Sequence, residues 1–204
     1  MEISSAVFKE IFEKDAVIQQ VIAATPTFKQ TTWGEDVYLA LCDCIISQQI
    51  SVKAATSIFN RFSALFSDNY PHANELVQKT EEELRSAGLS FQKIGYLRNL
   101  ATFQLEHQLT HEALDKLSDE EIITLISQVK GIGRWTVQMI LMFSLNRPDV
   151  FPIDDLVIKQ KIVKAYQLTE EGKALRLKMN EIAQNWVPYR SHVCFYLWRW
   201  GGEF

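Results

Sequence analysis

Two short stretches of the chain combine residue types that could do chemistry at a helix start. In the first, Gly131 and Gly133 bracket one apolar residue between Lys130 and Arg134. Glycines let backbone N–H groups approach an anion closely, and the positive end of a helix dipole favours the same ligand. This stretch therefore predicts a phosphate cradle, although a turn between two helices with no ligand also fits Gly-x-Gly.

The second stretch is an acid pair, Asp154-Asp155, which follows Phe151-Pro152-Ile153 about 20 residues later. Aspartate is a preferred helix N-cap, so one acid is explained by capping. Successive residues at a helix start point in different directions. We therefore expect Asp154 to cap the helix and Asp155 to project into a cleft as a candidate catalytic carboxylate. The alternative is that both acids only favour the first turn of the helix.

The elements that must position these residues are helices, because apolar residues recur at helical spacing and strand patterns are nearly absent. Thr80 and Ser118 each precede an acid by three residues and predict capping boxes. Ser51 predicts the cap of a helix reaching about Phe66. We expect an all-α fold of about ten helices, including one from about Arg134 to Leu145. Breaks are expected at three turn-forming stretches: 69–71, 87–90 and 147–149.

The length of 204 residues suits one module, 1–204, built from one domain or two tightly packed lobes. No apolar run is long enough to span a bilayer, and the N-terminal residues mix acids and bases, unlike a signal peptide. We therefore expect an intracellular protein, cytoplasmic if the source is a prokaryote. The cysteines Cys42, Cys44 and Cys194 are too few and scattered for a disulfide framework, so buried reduced thiols are expected.

The net charge of −4 conceals a division along the chain. Residues 128–204 carry 11 basic and 7 acidic side chains, whereas residues 1–127 carry 10 basic and 18 acidic. The C-terminal part could therefore face a polyanion while the rest of the chain keeps the protein in solution.

The combination of motifs resembles the helix-hairpin-helix superfamily of DNA glycosylases, which includes endonuclease III. Within this superfamily, the chain resembles DNA-3-methyladenine glycosylase II in its compact form without an N-terminal β-rich domain. The resemblance rests on four stretches and covers about residues 35–200. These stretches are CIISQQIS at 44–51, GIGRWT at 131–136, FPIDDLVIKQ at 151–160 and WVPYRS at 186–191.

The resemblance implies a two-lobed helical bundle with an active-site cleft between the lobes. The central lobe would span about 36–135, and the second lobe would combine about 1–35 with 136–204. Strand-cutting relatives place a Schiff-base lysine where this chain has Trp135, and Trp135 cannot form that adduct. The resemblance therefore implies a monofunctional glycosylase that hydrolyses the N-glycosidic bond of alkylated purines such as 3-methyladenine in duplex DNA.

Family roles then carry over to individual residues of this chain. Asp155 would stabilise an oxocarbenium-like transition state and orient water. Aromatic faces would hold the electron-deficient base, and an apolar wedge would fill the gap in the duplex. The base pocket would comprise Trp135, Tyr189, Trp186 and Met139. The DNA contacts would be Lys130, Gly131, Gly133, Arg134, Thr136 and Gln49, and the wedge Phe91, with Leu89 as the second candidate.

Several alternatives remain open from the sequence. Trp135 and Phe91 could pack in the ordinary way, Gln48 or Gln49 could be a solvated helix-end amide, and Trp198 and Trp200 favour core packing. The protein could instead be a non-catalytic helix-hairpin-helix DNA-binding protein, a glycosylase for other damaged or mismatched bases, or an all-α interaction protein.

No cofactor is expected, because only Cys194 lies where many relatives hold an iron–sulfur cluster through four cysteines. The four histidines, His192 included, lack metal-ligand spacing, so no metal site is expected. A monovalent cation bound by backbone carbonyls of the hairpin stays an open option. The expected partner is duplex DNA with a damaged base, bound by a monomer without membrane association.

Overall fold

The computed structural model describes Ile11 and residues 13–202, and the described residues contain no β-strand. Between Ala16 and Arg199 the chain forms twelve α-helices. These are α1 Ala16–Ala23, α2 Val37–Ser47, α3 Val52–Ser63, α4 Ala73–Leu76, α5 Glu81–Ser86, α6 Phe91–His107, α7 His111–Asp115, α8 Asp119–Ile126, α9 Arg134–Phe143, α10 Leu156–Tyr166, α11 Gly172–Ala183 and α12 Arg190–Arg199. The predicted all-α fold is confirmed, and the larger number of helices reflects very short ones such as α4 and α7.

The described chain divides into two compact units. The hairpin unit comprises residues 33–145 and contains α2 to α9. The aspartate unit comprises residues 146–202 and the described residues before 33, and contains α1 and α10 to α12. The break at 145 lies ten residues beyond the expected lobe boundary near 135, because α9 packs on α2 and α8 and so belongs to the hairpin unit.

In the hairpin unit, α2 is the central helix and packs on α3, α6 and α9. Its side chains Leu41, Ile45 and Ile46 are fully buried. Full burial of a branched aliphatic side chain contributes roughly 1.5–3 kcal/mol to folding. The buried face of α2 therefore anchors the helices that begin or end beside the hairpin.

The ends of these helices are set by local side-chain caps. Thr80 with Glu83 and Ser118 with Glu121 form capping boxes, so both predicted boxes are confirmed. The Ser118 box starts α8, the first helix of the hairpin. Ser51 caps α3 as predicted, and α3 ends at Ser63, three residues before the predicted end.

The core of the aspartate unit is built where α10 and α12 pack on each other and on α1. A buried carboxylate, Asp15, lies in this core and caps α1 by accepting from the Val17 and Ile18 amides. Asp15 also accepts hydrogen bonds from the Tyr166 hydroxyl and from Trp186 Nε1, the latter at 2.9 Å. A buried carboxylate requires such partners, so this network fixes α10 against α1.

Candidate active site

The predicted helix-hairpin-helix motif is formed by α8, the turn 127–133 and α9. Val129 and Ile132 are buried, and the Ile132 amide donates to the Val129 carbonyl at 3.0 Å. Gly133 is the N-cap of α9 and supplies no side-chain cap. Glycine has no side chain that could cap the first amides of α9. A helix N-terminus with such donors suits an anion such as a phosphate.

Gly131 is required in this turn for two reasons. Its φ of +97° lies in the left-handed region, and a Cβ at this position would come within 2.3 Å of Cδ2 of Tyr96. The Tyr96 ring on α6 therefore packs directly against the hairpin backbone, at a distance that only glycine permits. Gly133, by contrast, has a negative φ and open space where its Cβ would be.

The two cations of the hairpin differ in their surroundings. Lys130 is exposed in the turn. Arg134, the first residue of α9, forms a two-point ion pair with Glu120 in the first turn of α8, with Nη1 at 3.0 Å from Oε2. The guanidinium lowers the pKa of the Glu120 carboxyl through these hydrogen bonds. Glu120 therefore occupies the fork of the guanidinium that a phosphate would use.

Along α9 the predicted site residues have different exposures. Trp135 is 47% exposed, whereas Met139 and Thr136 are buried. Because the Thr136 side chain is covered, a contact of this residue with DNA would be made through its backbone, and the predicted DNA contact stays a prediction. The Thr136 backbone amide, the third of the helix, is the group that stays suited to an anion. Exposure of Trp135 is consistent with a pocket role, which stays a prediction, as does the role of Met139.

Asp155 lies at the start of α10 and is 8% exposed. Its Oδ1 accepts a hydrogen bond from the Ile158 amide at 2.9 Å and another from Trp198 Nε1 at 3.1 Å. The carboxylate is therefore held in one orientation by a helix N-terminus and by an indole donor. Its catalytic role stays a prediction.

The prediction that Asp154 caps this helix is wrong, because the N-cap is Asp155. Asp154 is exposed and pairs with Arg176 of α11. The two acids differ because Asp155 has the extended backbone of an N-cap, which turns its side chain toward the amides of the first turn. Asp155 is thus the helix cap as well as the candidate catalytic carboxylate, two roles that the sequence analysis assigned to different residues.

The loop that delivers Asp155 is tied to the start of α12. Arg190 Nε donates to Asp149 Oδ1 at 2.7 Å, and its Nη2 donates to Asp149 Oδ2 at 2.8 Å. Ser191, which is buried, donates to the Arg147 carbonyl and accepts from the Val150 amide. These contacts join the start of α12 to residues 147–150, which directly precede the FPIDD stretch.

Two tryptophans of the aspartate unit have surroundings that differ from those predicted from the sequence. Trp186, expected in the base pocket, is 0% exposed and packs edge-on against Phe151, so that prediction is wrong. Trp198, expected to be core, is half-buried and donates to Asp155. Tyr189 is half-buried with its ring edge-on to His192, and its pocket role stays a prediction. No local pattern connects Trp198 with an acid 43 residues away.

The wedge candidates lie at the start of α6, with Phe91 as its first residue and Leu89 in the preceding loop. Phe91 is 62% exposed, and the Arg85 guanidinium lies 4.5 Å from the centre of its ring. Leu89, the second candidate, is 0% exposed, so its wedge role is contradicted. Gln49 is exposed and has a left-handed φ of +60°. Phe91 and Gln49 remain the candidates for contact with duplex DNA where the damaged base is flipped out.

Several structural findings bear on metal ions, disulfides, membranes and the cation option. Among the described residues, no group of three or more His, Cys, Asp or Glu side chains could hold a metal ion. The cysteines form no disulfide, with Cys42 and Cys194 buried and Cys44 half-buried. In the same part of the chain, no helix is long and apolar enough to cross a membrane. The Gly131 carbonyl of the hairpin accepts from Gln48 at 3.0 Å, and the cation option there stays a prediction.

The helical fold, the hairpin and the helix-capping aspartate Asp155 together match a known class of protein. The family model for HhH-GPD superfamily base excision DNA repair proteins matches residues 42–188. The chain therefore belongs to this superfamily, and the resemblance inferred from the sequence is confirmed.

One curated relative and two solved structures are similar over most of the chain. DNA-3-methyladenine glycosylase 1 of Schizosaccharomyces pombe is 38% identical over 168 residues, which are 81% of this chain and 72% of the relative. A structure of the 3-methyladenine DNA glycosylase of S. pombe with abasic DNA has a TM-score of 0.81 at 31% identity, covering 95% of each chain. A DNA-3-methyladenine glycosidase from Bacillus halodurans has a TM-score of 0.87 at 29% identity, covering 98% of this chain and 91% of that one.

Proposed function

We propose that this chain is a monofunctional DNA glycosylase that hydrolyses the N-glycosidic bond of alkylated purines in duplex DNA and so begins base excision repair. The observation that carries the proposal is the buried Asp155 carboxylate, oriented by the Ile158 amide and Trp198, in a chain of the HhH-GPD superfamily. The relatives named as 3-methyladenine glycosylases support the choice of alkylated purines.

The chemistry needs a negative charge more than a general acid. A purine alkylated at N3 or N7 is cationic and leaves as a neutral base, while the sugar gains positive charge. Asp155 would oppose that charge and orient the attacking water. Trp198 would act as a positioning residue, because its indole N–H fixes the carboxylate before the substrate arrives.

Recognition would divide among the other candidates. The amides of the hairpin with Lys130 would hold a phosphate, and Trp135 with Tyr189 would stack on the flipped base. Phe91 would take the place of the flipped nucleotide in the stack. The protein would work inside the cell as a monomer, and this chemistry needs neither an iron–sulfur cluster nor another cofactor.

The experiment is a lesion panel with separate measurements of free base and strand cutting. Duplexes carrying 3-methyladenine, 7-methylguanine, hypoxanthine or ethenoadenine are incubated with the protein, with and without borohydride. We expect release of the alkylated purines, no strand cutting and no trapped adduct, because Trp135 cannot form a Schiff base. Binding without release would favour the non-catalytic alternative, and release confined to neutral bases would favour a glycosylase for other lesions.

A further inference from the structure

Three segments of the hairpin unit meet through one network of hydrogen bonds. They are 46–49 at the end of α2, 87–93 around the start of α6, and 130–133 in the hairpin turn. We call these three segments the opening platform. They contain Gln49, Phe91 and Lys130, three candidates for DNA contact. Lys93 lies in the first turn of α6 and is the residue from which the network starts.

The Lys93 ammonium joins α6 to the end of α2. Its Nζ donates to the Ile46 carbonyl at 2.7 Å and to the Gln48 carbonyl at 2.8 Å. Ile46 lies in the last turn of α2 and Gln48 is the C-cap of that helix, where backbone acceptors lack intrahelical donors and the helix dipole favours a cation. Lys93 is half-buried, and burial lowers the pKa of its ammonium. Its side chain therefore serves an internal contact and is not a solvated surface cation.

The end of α2 is in turn joined to the hairpin. Gln48 Nε2 donates to the Gly131 carbonyl at 3.0 Å, across 83 residues of sequence. The ring of Tyr96 packs against Gly131, and the Tyr96 hydroxyl accepts from Gln92 at 2.6 Å. The hairpin thus contacts both α2 and α6, and Lys93 joins α6 to α2. Each of the three parts of the opening platform is therefore connected to the other two.

The residues next to these tethers are the exposed ones. Gln49 follows Gln48 directly and has the left-handed backbone that non-glycine residues rarely adopt, so surrounding contacts must hold it. Phe91 precedes Lys93 by two residues, and the Arg85 guanidinium that lies over its ring also donates to the Leu89 carbonyl at 2.8 Å. The network therefore fixes the backbone from which both side chains project.

This inference rests on the proposed function and deepens it. We propose that Lys93 is a positioning residue for base flipping, which holds Gln49 and Phe91 at a fixed spacing from the hairpin. Binding energy gained at the hairpin phosphate is then available to open the duplex, because the residues that enter the base stack of the DNA are held in position. Without Lys93 the hairpin still binds DNA, but the flipped state is less favoured.

The test compares paired and pre-opened substrates. Single-turnover release of 7-methylguanine is measured from a full duplex and from one with a one-nucleotide gap opposite the lesion, where opening costs less. For Lys93→Met we expect release from the full duplex to slow about 10- to 100-fold. Release from the gapped substrate should stay within about threefold of wild type, since flipping no longer limits it. Lys93→Arg should restore most of the rate, because a guanidinium also reaches helix-end carbonyls.

The matched control is Lys116→Met, which removes the same charge from an exposed lysine that pairs with Glu112. It should behave as wild type on both substrates. An equal loss by Lys93→Met on both substrates would overturn the inference, and so would an unchanged rate on the full duplex.

A second variant keeps the test decisive if Lys93→Met does not fold. Gln48→Met removes the donor to Gly131 at nearly constant volume, and it should show the same selective loss on the full duplex. A uniform loss by this variant would again contradict the inference. The proposed function fails differently, because the wild-type protein would then release no base from either substrate.

Discussion

Asp155 caps a helix and is also the carboxylate to which we assign the proposed chemistry. Its Oδ1 caps α10 and accepts from Trp198, so the side chain has one orientation and is covered by protein. An asparagine could keep both hydrogen bonds through its carbonyl oxygen, since Asn caps helices as well as Asp does. Shape and charge at this residue can therefore be separated by one substitution.

Glu120 pairs with Arg134, one of the residues proposed to contact DNA, and would compete with a phosphate for its guanidinium. The two-point ion pair with Arg134 must be broken or shared when DNA binds. For Glu120→Gln we expect about two- to fivefold tighter binding of undamaged duplex, as exposed ion pairs are worth roughly 0.2–1 kcal/mol. The dependence of binding on salt should also steepen by about one phosphate contact. Fluorescence anisotropy over a salt series measures both quantities.

Glu112→Gln is the matched control, since it removes the same charge from an exposed acid that pairs with Lys116 instead. It should leave the affinity and the salt slope within error of wild type. Equal tightening by both variants would mean that only net charge matters, and Arg134 would then have no special place in the grip.

At the scale of elements, the hairpin turn depends on its two glycines in different ways. Gly131→Ala adds a Cβ against the Tyr96 ring at a left-handed φ, so we expect the free energy of unfolding to fall by about 1–3 kcal/mol. Gly133→Ala has open space and a negative φ, and should cost about 1 kcal/mol or less through the poorer cap. Urea denaturation followed by circular dichroism measures both. A Gly133 variant less stable than the Gly131 variant would contradict this account of the turn.

Local elements could be predicted from the sequence because their causes are local. The Thr80 and Ser118 boxes join residues three positions apart, and the two hairpin helices begin directly after their N-caps, Ser118 and Gly133. The choice between Asp154 and Asp155 as cap could not, because it depends on the backbone angles of one residue. The predicted lobe boundary near 135 also ignored the packing of α9 on α2.

The contacts around the candidate site residues could not be predicted from the sequence, for a different reason. Trp198 lies 43 residues from Asp155, and Lys93 lies 45 residues from Gln48. A tryptophan among apolar residues and a lysine in a helix are common patterns, and neither indicates its partner. Only the packing of whole helices determines which donor meets which acceptor.

At the scale of the whole molecule, the candidate site residues are divided between the two units. The hairpin and the platform belong to residues 33–145, whereas Asp155 and Trp198 belong to the other unit. Charge is also unevenly distributed, with residues 128–204 basic and the rest acidic. The basic part includes both the hairpin and the aspartate loop, which fits a protein that brings one carboxylate close to a polyanion.

The most direct test of the central claim compares two neighbouring acids in one reaction. Single-turnover release of 3-methyladenine from duplex DNA is measured for wild type, Asp155→Asn and Asp154→Asn, with folding checked by thermal unfolding. We predict that Asp155→Asn loses at least about 100-fold in rate while it still folds and binds abasic DNA, because only the charge is removed. Asp154→Asn should retain its rate, since it loses only an exposed ion pair with Arg176. An active Asp155→Asn beside an inactive Asp154→Asn would contradict the assignment of the catalytic carboxylate.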